Sequence, residues 1–202
     1  MNDPDIIRSV LNGRLDDFRE LVERYQQRIF RLIIGYVHNQ EEAEDLTQEV
    51  FIKAWQSLDK FRGDSSFSTW LHRIAINICL NNTRKNRGNS LIGRLSSFFG
   101  NENQIQIPFF EENAEEILIK EEYKAWLKRA LDNLPENQRT AIILSKYDDL
   151  PQKEIAAIMN LTEGAVEALI QRAKKNLREK LSPGIKKVKK ERRNNTKFVS
   201  NE

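Results

Sequence analysis

The stretch EEAEDLTQEVFIKAW, residues 41–55, sets Asp45 and Glu49 four positions apart, so on a helix the two carboxylates lie one turn from each other on a common face. Paired acids of this kind can hold a divalent cation or share general acid-base work. No histidine or third acid joins them in a recognisable motif, and the chain holds just two histidines, His38 and His72, and one cysteine, Cys79. The pair reads better as part of a charged helix face that meets a basic protein partner. A solvated face is the plain alternative, and a metal-dependent nuclease ranks last. No metal site, cofactor, catalytic residue or small-molecule substrate is expected.

A second group lies in FRGDSSFSTWLHRIAINICLNNTRKNR, residues 61–87, where aromatic rings, small polar side chains and arginines occur together. Unstacked bases need flat apolar surfaces or polar pockets, and the phosphates need cations, so this mixture suits single-stranded nucleic acid. Phe61, Phe67 and Trp70 serve equally well as core, because large aromatics dominate small cores. Both uses stay open at this point.

A third group is YDDLPQKEIAAIMNLTEGAVEALIQRAKKNLREKL, residues 147–181, which has the spacing of a helix-turn-helix. Ile155, Ala156, Ile158 and Met159 pack the first helix. Asn160 takes the left-handed turn conformation, Leu161 plugs the angle, and Thr162 caps the second helix. Val166, Leu169, Ile170, Ala173 and Leu177 hold that second helix down. Thr162, Glu163, Ala165, Glu167, Ala168, Gln171, Arg172, Lys174 and Lys175 are left to face a major groove. Gln171 suits a base edge, while Arg172, Lys174 and Lys175 suit bases or phosphates. Two helices joined by a tight turn also occur as plain packing.

The elements that carry these groups are all expected to be helical. Residues 5–37 read as one helix, with Phe18, Leu21, Val22, Tyr25, Ile29, Leu32, Ile33 and Tyr36 at steps of three and four. His38-Asn39 breaks it. From about Glu41 to Leu58 the next helix turns Ala43, Leu46, Val50, Ala54 and Leu58 inward and leaves Asp45, Gln48, Glu49, Ile52 and Gln56 available. The loop at 61–68 leads to a helix from Thr69 to Arg87, capped by Ser68, with Leu71, Ile74, Ala75 and Ile78 as its apolar stripe. Asn113 and Glu116 form a capping box for a helix to about Asn133, and Pro135 starts a short helix bearing Ala141, Ile142 and Leu144.

The expected fold is therefore all-α, with two small helical domains at 1–87 and 113–182. A flexible linker at 88–112 joins them, its Phe98, Phe99, Phe109 and Phe110 docking somewhere, and a disordered basic tail follows at 183–202. Only 8 glycines and 5 prolines in 202 residues agree with a helical chain. The net charge of +3 hides segregation: no carboxylate occurs from Ser65 to Asn101, where Arg73, Arg84, Lys85, Arg87 and Arg94 lie, and seven acids fall between Glu102 and Glu122. Such division suits a polyanion at some surfaces and a protein at others. The polar N-terminus and the lack of an 18-residue apolar run argue for a cytoplasmic chain without membrane insertion. Cys79 reads as a reduced packing residue.

DLTQEVFIKAWQSLDKFRGDSSFSTWLHRIAINICLN in the first half, followed by LPENQRTAIILSKYDDLPQKEIAAIMNLTEGAVEALIQRAKKNLREKL in the second, resembles an extracytoplasmic-function (ECF) sigma factor of bacterial RNA polymerase. The resemblance implies that 1–87 is sigma domain two, with Asp45, Gln48, Glu49, Ile52 and Lys53 on the clamp coiled coil of core polymerase. It implies that Phe61, Arg62, Asp64, Phe67, Trp70, Arg73, Asn77, Arg84 and Lys85 serve the minus-ten element and its displaced non-template strand. Residues 113–182 become sigma domain four. Its nine helix-turn-helix candidates read duplex DNA at the minus-thirty-five element, and its other surface rests on the polymerase flap. An anti-sigma factor is a further implied partner, and a stress- or envelope-responsive role is implied with it. The chain departs from the pattern at Ala165-Val166-Glu167-Ala168, where many relatives carry Thr-Val-Arg/Lys-Ser. A stand-alone helix-turn-helix regulator is the alternative, but it leaves the face of residues 45–55 and the aromatic loop without a use.

Overall fold

A computed structural model of the chain describes the backbone of residues 1–93 and 125–199, and the side chains of 1–85 and 125–182. Among the described residues every regular element is helical. These are α1 (Asp3–Leu11), α2 (Phe18–Val37), α3 (Gln40–Gln56), α4 (Phe67–Gly93), α5 (125–132), α6 (Glu136–Tyr147), α7 (Gln152–Met159) and α8 (Glu163–Val199). Single 3-10 turns stand at Leu15–Asp17 and Leu58–Lys60. The helices form two compact units, Met1–Ile105 with Ile143–Glu167, and Gln106–Ile142 with Ala168–Glu202. The four linker phenylalanines and the capping box at Asn113 and Glu116 lie outside the described residues.

The helix expected over 5–37 is two helices. α1 starts at an Asn2 cap whose side chain accepts from the Asp5 amide at 2.9 Å, with Pro4 in the first turn where its missing N–H costs nothing. It ends in a Schellman turn: the Gly13 amide donates to the Val10 carbonyl at 3.0 Å and the Arg14 amide to that of Ser9 at 3.1 Å. Gly13 has a φ of +97°, which only glycine adopts without strain. The apolar steps Leu11, Leu15 and Phe18 continue across this break, which is why periodicity alone misses it. The side chains of Asp3 and Arg24 pair, and Tyr25 donates its hydroxyl proton to the same carboxylate, so α1 is tied to the first half of α2.

α2 ends at His38 in the left-handed conformation, and Asn39 caps α3 by accepting from the Glu42 amide at 2.8 Å. Ala43, Leu46, Val50 and Ala54 of α3, with Leu58 beyond it, are buried as the spacing implies. α4 begins two residues earlier than expected. Its cap is Ser66, whose hydroxyl accepts from the Thr69 amide at 3.1 Å, and Ser68 already lies inside the first turn. The core stripe of α4 is Leu71, Ala75, Ile78 and Cys79, joined by His72, while Ile74 is half-buried. α4 runs on to Gly93, past the expected linker start at residue 88.

In the second unit, Ala130, Leu131, Leu134, Ala141, Ile142, Ile170, Ala173 and Leu181 are buried. Arg139, itself buried, donates from Nη2 to Asp132 at 2.7 Å, and the Asn176 side-chain amide donates to Gln138 at 2.8 Å. α8 continues as helix through Pro183 and Gly184 to Val199, where a disordered tail was expected from residue 183. One proline removes a single helical hydrogen bond at a cost of about 3 kcal/mol. The Lys-, Arg- and Glu-rich run beyond it favours helix, and this offsets part of that cost.

Four rings meet beneath the start of α4: Tyr25–Phe67 at 5.5 Å between centroids, Phe61–Phe67 at 5.9 Å, Phe61–Trp70 at 5.3 Å and Phe67–Trp70 at 5.6 Å. Phe67, 2 % exposed, is the centre of that cluster. Phe67→Ala should lower unfolding free energy by about 3–5 kcal/mol, read as a fall in urea midpoint. The Tyr25 phenol is pushed up to about 12 by burial first and by its bond to Asp3 second. Its folded value lies above the unfolded value of about 10, so the stability it supplies is complete below about pH 10 and is lost as pH rises towards 12. Wild type should therefore lose more stability than Tyr25→Phe between about pH 9 and pH 11.5 in parallel urea titrations.

Candidate nucleic-acid and partner interface

Because α3 spends one face on the core, Asp45, Gln48, Glu49, Ile52 and Lys53 all project outward and are exposed. Ile52, 57 % exposed, gives this otherwise charged face an apolar centre. Trp55 at its end packs edge-on against Phe18 at 5.0 Å and keeps one side open. A groove between α2 and α3, lined in part by Gln27, Phe30, Arg31, Glu44 and Gln48, continues the face sideways. Sequence reasoning missed the α2 contribution, since the outward side of α2 carries no pattern beyond polarity. Among the described residues no three His, Cys, Asp or Glu side chains gather as metal ligands.

The aromatic loop is anchored by Phe67 and presents what lies above it. Phe61 and Trp70 are half-buried, so each offers part of a ring, and Arg62 and Asp64 are exposed. Gly63, at a φ of +78° with open space around it, turns the chain between them. Along α4, Asn77, Arg84 and Lys85 are exposed. Arg73, one turn before Asn77, is engaged: Nη2 donates to the Ala157 carbonyl at 2.6 Å and Nε to that of Ile158 at 3.2 Å.

The turn between α7 and α8 is a second Schellman motif. Asn160 is left-handed, with φ 55° and ψ 49°, and the Leu161 amide donates to the Ala156 carbonyl at 2.9 Å. Leu161 does not plug the angle: it is 40 % exposed, because the motif swings it outward, and Ile155, Ile158 and Val166 fill the interior instead. Thr162 caps α8 by accepting from the Ala165 amide at 3.2 Å. Thr162, Glu163, Glu167, Gln171, Arg172, Lys174 and Lys175 are exposed, whereas Ala165 and Ala168 are half-buried. This exposed row begins at a helix N-terminus, whose unpaired amides favour an anion. Glu163 and Glu167 oppose that tendency, and Arg172, Lys174 and Lys175 restore positive charge two turns on.

Comparison with known proteins agrees with both halves of this arrangement. Residues 21–88 match Sigma-70 region 2 and residues 124–177 match Sigma-70 region 4. The RNA polymerase sigma-H factor of Pseudomonas aeruginosa is 33% identical over 190 residues, covering 92% of this chain and 97% of its own. The ECF RNA polymerase sigma-E factor of Escherichia coli K12 is 36% identical over 195 residues, covering 93% and 98%. Among solved structures, the sigma factor RpoE of Bartonella quintana, crystallised with the anti-sigma factor NepR, is similar at a TM-score of 0.58 and 25% identity, over 82% of this chain and 97% of that one. With both regions matched in this order on one chain, and relatives aligned over nearly their whole lengths, a regulator with the helix-turn-helix alone is left without support, and the chain belongs to the ECF group of RNA polymerase sigma factors.

Proposed function

We propose that this sigma factor divides promoter-specific initiation between 1–87 and 113–182, with 88–112 as the connection. The α3 face at Asp45, Gln48, Glu49, Ile52 and Lys53 grips the clamp coiled coil of core polymerase, and the domain of residues 113–182 rests on the flap. Phe61, Arg62, Asp64, Trp70, Arg73, Asn77, Arg84 and Lys85 hold the minus-ten non-template strand, with Phe67 beneath them as support. Unpairing costs energy, so melting proceeds only if contacts made in the open state recover it. Rings and amide groups at the start of α4 are suited to that. Thr162, Gln171, Arg172 and Lys174 read the minus-thirty-five duplex, while Glu167 accepts from a cytosine amino group or stays clear of phosphate.

The observation that carries this reading is the two-sidedness of α3, where every core-facing position is buried and every proposed polymerase contact is exposed. The polymerase supplies the chemistry, and the chain has no catalytic activity of its own. It works in the bacterial cytoplasm as an alternative sigma factor for stress or envelope signals. An anti-sigma factor holds it in check, as the Bartonella RpoE–NepR complex suggests by analogy.

Core polymerase with this chain should transcribe a specific subset of a genomic promoter library, and neither component alone should do so; absence of any added transcript overturns the reading. Asp45→Lys with Glu49→Lys should cut retention on core polymerase about tenfold, about 1.4 kcal/mol, with helicity unchanged. Asn77→Ala should reduce permanganate-reactive thymines by a similar factor without loss of polymerase binding. For α8, Glu167→Arg should raise duplex affinity and shift promoter choice; no change in either would mean that the helix docks differently.

A further inference from the structure

α8 does not stop where the match to Sigma-70 region 4 ends, at residue 177; it runs on as one helix to Val199, and the function proposed above gives that extension no role. From Lys186 to Lys197 it holds Lys186, Lys187, Lys189, Lys190, Arg192, Arg193 and Lys197 against a single acid, Glu191. In an unfolded tail such a run would be a diffuse cloud of charge. A helix orders it, because each residue then has a fixed bearing around one axis.

At about 3.6 residues per turn, roughly 18 residues make five turns, so positions that far apart share a bearing. Gln171, Arg172 and Lys175 are exposed, and their counterparts are Lys189, Lys190 and Arg193, about 27 Å further along the helix at about 1.5 Å per residue. Lys186 and Lys197 fall in the same sector. The opposite sector differs in kind: Ile170 and Ala173 are buried, and their counterparts are Val188 and Glu191. The acid of the extension therefore keeps the bearing of the core positions, while most of the cations keep that of the residues offered to duplex DNA. Between the two sets, Arg178 and Lys180 outnumber Glu179. Pro183 removes one bond of the ladder, but the helix continues beyond it, so the first set and the second stand on one axis.

We propose that residues 186–197 of α8 form a second contact with duplex DNA, in which Lys186, Lys189, Lys190 and Arg193 neutralise phosphates outside the base pairs that the start of the helix reads. Such contacts carry no base information; they add affinity and fix position. The shared bearing is what selects the partner. A duplex seated on Gln171, Arg172 and Lys175 is the polyanion nearest to the second set. A helix built for a lipid surface gathers its apolar residues into one stripe, whereas Ile185, Val188 and Phe198 spread over about 140° of this one. The inference rests on the assignment of α8 to the minus-thirty-five duplex and extends that contact along the helix.

Two changes to the full chain test it, read by fluorescence anisotropy with a mixed-sequence duplex pool of about 30 base pairs across a range of salt concentrations. Lys186→Gln, Lys189→Gln, Lys190→Gln and Arg193→Gln together keep helix propensity and remove the charge. Binding should weaken about tenfold near 0.1 M salt, and the slope of log affinity against log salt should flatten by about 2–4, since each phosphate contact contributes about 0.9. Two alanines inserted after Ser182 keep every charge but turn the extension by about 200°, and they should weaken binding about as much with helicity unchanged. If the insertion lowers helicity, Lys189→Glu with Glu191→Lys takes its place, moving charge across the helix at constant net charge with a loss of about threefold expected. Unchanged affinity and slope in the glutamine variant overturn the contact. Loss there with wild-type affinity in the insertion, or in the exchange that replaces it, overturns the shared face. A greater loss on single-stranded RNA of about 30 nucleotides, or on phosphatidylglycerol vesicles, than on the duplex pool overturns duplex DNA as the partner. Failure of the α8 assignment itself would show separately, as Gln171→Ala with Arg172→Ala leaving promoter choice by core polymerase with this chain unchanged.

Discussion

The first unit depends on the burial of α2, which packs against α1, α3 and α4 at once. Leu21, Ile29, Leu32 and Ile33 have no exposed surface, and adjacent positions 32 and 33 are both inward, so its apolar stripe is wider than a single-seam helix requires. A helix surrounded in this way leaves its neighbours just one side each for the core. α3 and α4 must then turn their polar sides outward, and those two outward sides carry the residues assigned to polymerase and to the minus-ten strand. The exposed polar sides and the core are two results of one packing constraint.

The aromatic cluster shows how finely that constraint divides a single loop. Phe67 is withdrawn among Tyr25, Phe61 and Trp70, while Phe61 and Trp70 keep part of each ring at the surface. A ring that stacks on a base must hold its angle without the base, and packing from beneath provides this without further hydrogen bonds. Arg62 and Asp64, on either side of a left-handed glycine, have no such support and are free to follow a ligand.

Features read correctly from the sequence were those written in local spacing. The two faces of α3, the left-handed Asn160 and the Thr162 cap each depend on residues within a turn or two of one another. Misreadings arose where local patterns compete. Leu11, Leu15 and Phe18 stay in helical step across Gly13, and the serines at 66 and 68 are both plausible caps, with only the Thr69 amide to choose between them. Leu161 looked apolar enough to be buried, but backbone geometry decided its place. His72 Nε2 and Asp148 Oδ2 lie 2.7 Å apart across 76 residues, and nothing in the sequence pairs them. The face was legible in the sequence, but the long-range partner that occupies Arg73 was not.

Cys79 has no exposed surface and lies on the core side of α4, within the helix that bears His72 and Arg73. As the chain's single cysteine it is a native chemical probe: a thiol reagent can reach it only through an opening of the core around α4. The rate at which it is labelled therefore reports such openings, with no introduced cysteine and no second thiol to confuse the signal.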